Sequence, residues 1–272
     1  MNDRELLRKA QIYITNEIVR ICSLHGIQYF IDAGSMLGAV RHKGFIPWDD
    51  DMDIGMLKKD YETFLYYAQT ELKNDFFVDN YITNKENALV FTKIRLKNSL
   101  YIEEKGNPNL LHNEVFVDVF PYYYISDNEF VRKIEGGFIA ILSQALMSKS
   151  GVKVWKGESR LKRIKFLPSD LLGLLLSKKT MHKWIDKLIN KHSETKRVCV
   201  HAGSCYSYWF FLRDIFDDFI DINFEGEQYK IPRRYDEFLT VAYGDYMTLP
   251  SIEHQITHNI QALNLEHYAD KL

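Results

Sequence analysis

Four aspartates stand within five residues, Asp49-Asp50-Asp51-Met52-Asp53, and any fold for this chain has to accommodate them. Carboxylates so close repel one another unless a cation, a donor or water offsets the charge. Asp51 and Asp53 are separated by one apolar residue and followed by Ile54. In a strand, residues i and i+2 share a face, so a strand over Asp51 to Met56 is expected to project both carboxylates together. Paired anionic oxygens suit Mg²⁺ or Mn²⁺, hard cations that take carboxylate and phosphate ligands. Upstream, the apolar run Tyr29 to Ile31 leads into Gly34-Ser35, then a helix-compatible Met36-Leu37-Gly38-Ala39-Val40. A glycine and a hydroxyl where a turn opens a helix offer a close backbone approach and a donor to phosphate oxygens.

A third acid stands alone in the β-rich run Glu114-Val115-Phe116-Val117-Asp118-Val119-Phe120-Pro121. An ionised carboxylate buried there costs several kcal/mol unless paired or metal-bound. Gly-Ser followed at a distance by Asp-x-Asp resembles the nucleotidyltransferase superfold. The longer string, Gly34, Ser35, Leu37, Gly38, Ala39, Arg41, Gly44, Ile46, Pro47, Trp48, Asp49, Asp50, Asp51, Asp53 and Ile54, resembles the LicD phosphotransferases, the lipopolysaccharide cholinephosphotransferase family related to fukutin. Phe224-Glu225-Gly226, Ile231-Pro232, Tyr235-Asp236 and Tyr243-Gly244-Asp245-Tyr246 extend the likeness, with Pro250 and His258 beyond them; Thr248-Leu249-Pro250-Ser251 departs from the family's usual double proline.

The resemblance implies an α/β (α+β) protein with a nucleotidyltransferase-like mixed β-sheet core, flanking helices and a basic α-helical insertion. It implies transfer of phosphocholine from CDP-choline to a hydroxyl of a cell-surface glycan, with CMP released. Asp51 and Asp53 would hold the metal, and Asp118 would complete the site as ligand or as base for the acceptor hydroxyl. Gly34 and Ser35 would cradle donor phosphate. Arg41, His42 and Lys43 are candidate phosphate partners, Arg41 first because its planar fork matches the oxygens. Asp49 and Asp50 would orient groups around the metal. Trp48 and Tyr122, the first of three consecutive tyrosines, are candidate aromatic faces for a quaternary ammonium.

Three other readings remain. The cargo could be glycerol- or ribitol-phosphate from another CDP-activated donor, recognised by hydrogen bonds rather than aromatic faces. The reaction could be nucleotidyl transfer from an NTP. The chain could also be a non-catalytic membrane-surface adaptor, although such a protein has no reason to keep three mutually repelling acids.

The 272 residues are expected to divide into a catalytic core over 1–127, a basic helical insertion over 128–197 and a C-terminal segment over 198–272 that completes the core. Hydrophobic residues make up 46% of the chain, ample for a packed interior. Residues 131–197 hold sixteen Lys and Arg against five Asp and Glu, while the whole chain carries a formal charge of −2. The overall charge points to no nucleic-acid partner. Apolar clusters alternating with lysines fit two readings equally, an anionic membrane surface or lipid-linked acceptor on the one hand and a helical bundle with a solvated lysine-rich face on the other. Three cysteines make no disulfide framework, and Met1 to Glu5 lacks the apolar start of a secretory signal. These features predict a cytoplasmic protein with peripheral contact at the inner face of the membrane.

Periodicity predicts helices over 4–24, from Ser35, over 58–72, 130–147, 161–176 and 178–192. It predicts strands over 27–31, 51–56, 76–82, 88–104 and 114–121, with a turn at Gly106-Asn107-Pro108-Asn109. Cys199-x-His201-x-x-x-Cys205 lacks a fourth ligand, so zinc is not expected there. Neither a Gly-x-x-x-x-Gly-Lys-Ser/Thr loop nor a Gly-x-Ser-x-Gly elbow occurs.

Overall fold

The first helix, α1 (Asp3–His25), is capped at both ends by its own sequence. The Asn2 side chain accepts from the Glu5 N–H at 2.9 Å, and the Glu5 carboxylate accepts from the Asn2 N–H at 3.1 Å. Such a reciprocal cap contributes about 1 kcal/mol. Gly26 closes the helix at φ 63°, a left-handed conformation that glycine reaches without a Cβ penalty. The stripe Leu7, Ala10, Ile14, Ile18, Ile21 and Cys22 is buried, as its spacing requires. The structure is a computed structural model describing residues 2–103, 112–151, 167–200, 209–255 and 259–272.

After α1 come β1 (Phe30–Ile31), α2 (Ala33–His42), β2 (Asp53–Leu57), α3 (Lys58–Glu71) and β3 (Phe76–Asp79). Next are β4 (Thr92–Leu96), β5 (Leu100–Glu103), β6 (Phe116–Ile125), α4 (Glu129–Lys149), α5 (Leu167–Leu175) and α6 (Lys178–Ile189). The chain continues through β7 (Arg197–Val200), β8 (Phe210–Leu212), β9 (Phe219–Phe224), β10 (Glu227–Pro232), α7 (Tyr235–Tyr243) and β11 (Ile260–Asn264). The result is the expected α/β fold on a mixed sheet. The main sheet runs β1-β2-β6-β4-β3, with β7 on β6 and β8 on β7; β9 with β10, and β5 with β11, make two-stranded pieces.

The chain forms two compact units: Met1–Val78, Lys93–Phe120 and Ile215–Leu272 make the first, Asp79–Thr92 and Pro121–Asp214 the second. The first holds the acidic stretch. The second encloses a core of Tyr123, Ile125, Ile139, Leu142, Ala145, Leu146, Met181, Ile185, Ile189 and Cys199, and contains the basic helical segment. Its His182 is buried, stacked on Tyr81 at 3.6 Å, with Nε2 3.1 Å from the Asn87 carbonyl. Burial lowers that imidazole to about 4.

Several boundaries differ from expectation for local reasons. The strand expected over 27–31 shrinks to Phe30 and Ile31, because the Gln28 N–H bonds the Asp60 side chain at 3.1 Å instead of a neighbouring strand. The strand expected over 76–82 stops at Asp79, where the Asn80 side chain accepts from the N–H groups of Ile82 and Thr83. The 88–104 run splits into β4 and β5 at Asn98, whose φ is 55°. The 114–121 strand continues past Pro121, since Tyr122 to Ile125 pair with β7. The turn at 106–109 and the start of the 161–176 helix lie outside the described residues.

Candidate active site

The acidic stretch is held by α1. Arg8 Nη2 donates to the carbonyls of Ile46, Pro47 and Asp49 at 2.8, 3.3 and 2.9 Å. Arg4 donates to Pro47 at 3.0 Å, and Gln11 Nε2 donates to the Asp50 carbonyl at 2.6 Å. The Tyr101 hydroxyl donates to Asp50 Oδ2 at 2.6 Å. This clamp corrects one expectation: β2 begins only at Asp53, so Asp51 lies in the loop ahead of it rather than on the same strand face. Asp49, Asp50 and Asp51 instead bring a carboxylate oxygen each within 4.8 Å of one another. An octahedral Mg²⁺ with oxygens at about 2.1 Å sets its ligand atoms roughly 3–4 Å apart, so this donor set fits a hard divalent cation after small adjustments.

The N-terminus of α2 lies against this group. A Cβ on Gly34 would meet Asp49 Oδ2 at 2.5 Å, so the missing side chain makes room for the carboxylate over the first helical turn. Negative charge is favoured there by the helix dipole. Asp32 caps the same helix, its Oδ1 accepting from the Ala33 N–H at 2.7 Å, and its own N–H donates to the Asp53 carbonyl at 2.9 Å. Ala33 sits at φ 43°, a left-handed conformation unfavourable for a residue with a Cβ. Ser35 is buried, and its Oγ accepts from the Asp53 N–H at 2.9 Å, tying α2 to β2. Gly34, Ser35 and the acids thus converge, with the hydroxyl accepting from the protein backbone.

Asp118 joins them from β6. Its N–H donates to the Met52 carbonyl at 3.1 Å, aligning it beside the start of β2. Lys93, on β4, donates to Asp118 Oδ1 at 2.6 Å and lies over the Phe116 ring. Asp53, Asp118 and Lys93 therefore come from three adjacent strands, β2, β6 and β4. The crowding has an electrostatic signature. Burial, then Asp50, Asp118 and Asp49, push Asp51 up to about 7, against the pull of Lys93. Burial, then Asp51, Asp118, Asp32 and Asp49, hold Asp53 well above the usual carboxylate range.

Other expected residues are placed elsewhere. Arg41, His42 and Lys43 end α2, about 10 Å along the helix from Gly34 by its rise per residue. Arg41 Nη1 donates to the Tyr246 carbonyl at 2.6 Å, and Lys43 is exposed in a left-handed cap. Trp48 is half-buried, edge-on to His42 with ring centroids 6.1 Å apart. Tyr122 belongs to the second unit, buried against Phe211 with centroids 6.0 Å apart. In the zinc pattern Cys199 is buried in β7, while His201 and Cys205 lie outside the described residues, as does His258.

Sequence reasoning missed Asp32, Lys93, Tyr101 and Tyr243. Tyr243 ends α7; burial, then the charges of Asp53, Asp32 and Asp49, raise its phenol, placing it in the field of the acids. Lys93 was foreshadowed by the alternation of Val90 to Leu96, which puts Lys93 and Arg95 on one face. Asp32 precedes Ala33-Gly34 as a helix cap would.

Residues 26–136 match a family described as LicD/FKTN/FKRP, nucleotidyltransferase domain. The chain is 29% identical over 276 aligned residues to the lipopolysaccharide cholinephosphotransferase LicD of Haemophilus influenzae, covering 94% of this chain and 96% of that protein. It is 42% identical over 43 residues to the ribitol 5-phosphate transferase FKRP of Mus musculus and of Homo sapiens, covering 16% of this chain and 9% of each of those proteins. With the acids of β2 and β6 gathered beside the α2 N-terminus, residues 26–136 are similar to the LicD/FKTN/FKRP nucleotidyltransferase family in both sequence and arrangement of acids.

Proposed function

We propose that this protein is a metal-dependent phosphotransferase that moves phosphocholine from CDP-choline to a hydroxyl of a cell-surface glycan. The observation that carries this reading is the convergence of Asp49, Asp50, Asp51, Asp53 and Asp118 beside Gly34. The likeness to LicD along 94% of the chain supports the cargo. In the reaction, the acceptor oxygen bonds to the phosphorus bearing choline as the bond to the CMP phosphate oxygen breaks. The hydroxyl proton passes to a carboxylate, and CMP departs.

Asp49, Asp50 and Asp51, with Asp53 and Asp118 alongside, would hold Mg²⁺ or Mn²⁺. When bound, that ion neutralises charge on the donor diphosphate. Lys93 fixes the orientation of Asp118 through a charge-assisted hydrogen bond of 2.6 Å. Asp118 then serves as ligand or as base for the acceptor. The α1 clamp of Arg4, Arg8 and Gln11 keeps the acidic loop in register with β2. Trp48, half-buried and directly before Asp49 in the sequence, would offer a face to the quaternary ammonium. Ribitol phosphate is the second reading, favoured by the local identity of 42% to FKRP.

The test is CMP release from CDP-choline, CDP-ribitol and CDP-glycerol, alongside pyrophosphate release from CTP, each with and without Mg²⁺ and glycan acceptor. Acceptor-dependent CMP from CDP-choline is expected. Preference for CDP-ribitol or CDP-glycerol would overturn the cargo, and pyrophosphate from CTP would overturn the reaction class.

A further inference from the structure

The helix α5 carries more leucine than its inward side can bury. It buries Ser169 and Gly173 and packs Leu172 against the core of the second unit. A Cβ on Gly173 would come 3.2 Å from the Ala145 carbonyl oxygen of α4, so the glycine is where the two helices meet closely. The outward side carries leucines: Leu167 is 55% exposed, Leu171 57%, Leu174 82% and Leu175 71%. Their spacing of four, three and one residues makes one continuous apolar face. Leaving four leucines in water forfeits stabilisation that burial would supply, so the face calls for an occupant.

The neighbouring helix indicates its chemistry. Leu176 and Ser177 are all that separate α5 from α6, which buries Met181, His182, Ile185 and Ile189. Its other side exposes Lys179, Lys183 and Lys187 at four-residue intervals, with Trp184 47% exposed among them. Lysines are depleted from the cores of protein interfaces. Leucines beside lysines and an indole are instead the composition of helices that lie in a bilayer interface. The +11 balance of residues 131–197 is complementary to anionic headgroups. Among the described residues no helix is long and apolar enough to cross a membrane.

We propose that the outer faces of α5 and α6 dock the protein on an anionic lipid bilayer, the leucines inserting shallowly and the lysines contacting headgroups. This stands apart from the catalytic reading, because it concerns residues of the second unit and needs no donor.

The test is co-sedimentation of the full chain with phosphatidylcholine vesicles, with or without phosphatidylglycerol, at low and high salt. Binding to the anionic vesicles alone, lost at high salt, is expected. The triple variants Leu171→Ser/Leu174→Ser/Leu175→Ser and Lys179→Glu/Lys183→Glu/Lys187→Glu should each weaken it at least about tenfold. Leu174→Ser alone, altering the most exposed leucine of the helix, should weaken it measurably and covers the case in which a triple variant fails to fold. Absence of binding, equal binding to neutral vesicles, or indifference to the leucines would overturn the proposal. So would light scattering that shows a dimer dissociated by the leucine changes, since a second copy would then cover the face.

Discussion

Replacing Gly34 by Ala separates the stability of the site from its chemistry. The new Cβ would lie 2.5 Å from Asp49 Oδ2 and 3.7 Å from its Cγ, so the carboxylate has to withdraw by about 1 Å to reach ordinary contact. Only a side-chain end moves. The backbone gains up to about 1 kcal/mol of helix propensity. Against that, the hydrogen bond from the Asp50 N–H to Asp49 Oδ1, now 3.1 Å, is strained or lost, costing about 1 kcal/mol. The two nearly cancel, and Tm should move by no more than about 4 °C. Turnover should fall about a hundredfold, the usual consequence of displacing a site group by 1 Å. The assays are a thermal melt and CMP release under saturating Mg²⁺. Turnover within about threefold of the native enzyme, in a protein of unchanged Tm, would refute the claim that Gly34 seats Asp49 for the reaction. A Tm lower by more than about 10 °C would instead refute the claim that the seat is cheap to disturb.

Asp51→Asn and Asp53→Asn should abolish turnover while raising the Tm of the metal-free protein near neutral pH. Asp51, with an ordinary value of 3.8, is pushed up to about 7 by burial and its acidic neighbours, so its contribution to stability falls as pH rises through that interval. If the Asn variants melt lower than the native chain at pH 7.5 without metal, the electrostatic account of the cluster fails. Trp48→Leu should weaken CDP-choline binding by a further factor of about 2–30 relative to CMP, the range of one aromatic face on a quaternary ammonium. Equal losses for the two nucleotides, read by calorimetry, would remove Trp48 from choline recognition. The second unit should weaken in acid. His182, held at about 4, binds a proton later than the unfolded chain does at 6.5, so stability drops by roughly 3 kcal/mol between those pH values. His182→Gln should flatten that acid limb in urea titrations, and an unchanged slope would assign it to other groups.

How much could be read from the chain depended on how local the causes were. Asn2 with Glu5, and Gly26 after His25, act within a few residues of their own helix, so α1 was legible to within a residue or two. The place of Asp118 within a strand was also legible, since a carboxylate in an apolar β-rich run is conspicuous by its cost. The start of β2 was not. It is set by Arg8 and Gln11 of α1 and by Tyr101 of β5, partners tens of residues away. Lys93 followed the same rule. Its basic side chain read as one of an alternating strand, and only strand order places it against Asp118. Tyr122 shows the converse. It follows Asp118 closely along the same strand, yet Pro121 begins the part of β6 that belongs to another core.

The hairpin of β9 and β10 turns through Glu225 and Gly226, with φ of 53° and 89°. Glu225 Oε1 accepts from the Phe45 N–H at 3.0 Å, and the Glu225 N–H donates to the Lys43 carbonyl at 3.2 Å, where the absent side chain of Gly44 leaves room. The loop leading into the acids is thus buttressed by residues made far later on the ribosome. At about 5–20 residues per second, roughly ten to thirty-five seconds of translation separate Asp53 from Glu225. During that interval the nascent chain carries its clustered aspartates without their final support. A ribosome paused between the two should therefore display α1 formed, the acidic loop open to protease, and no capacity to bind donor.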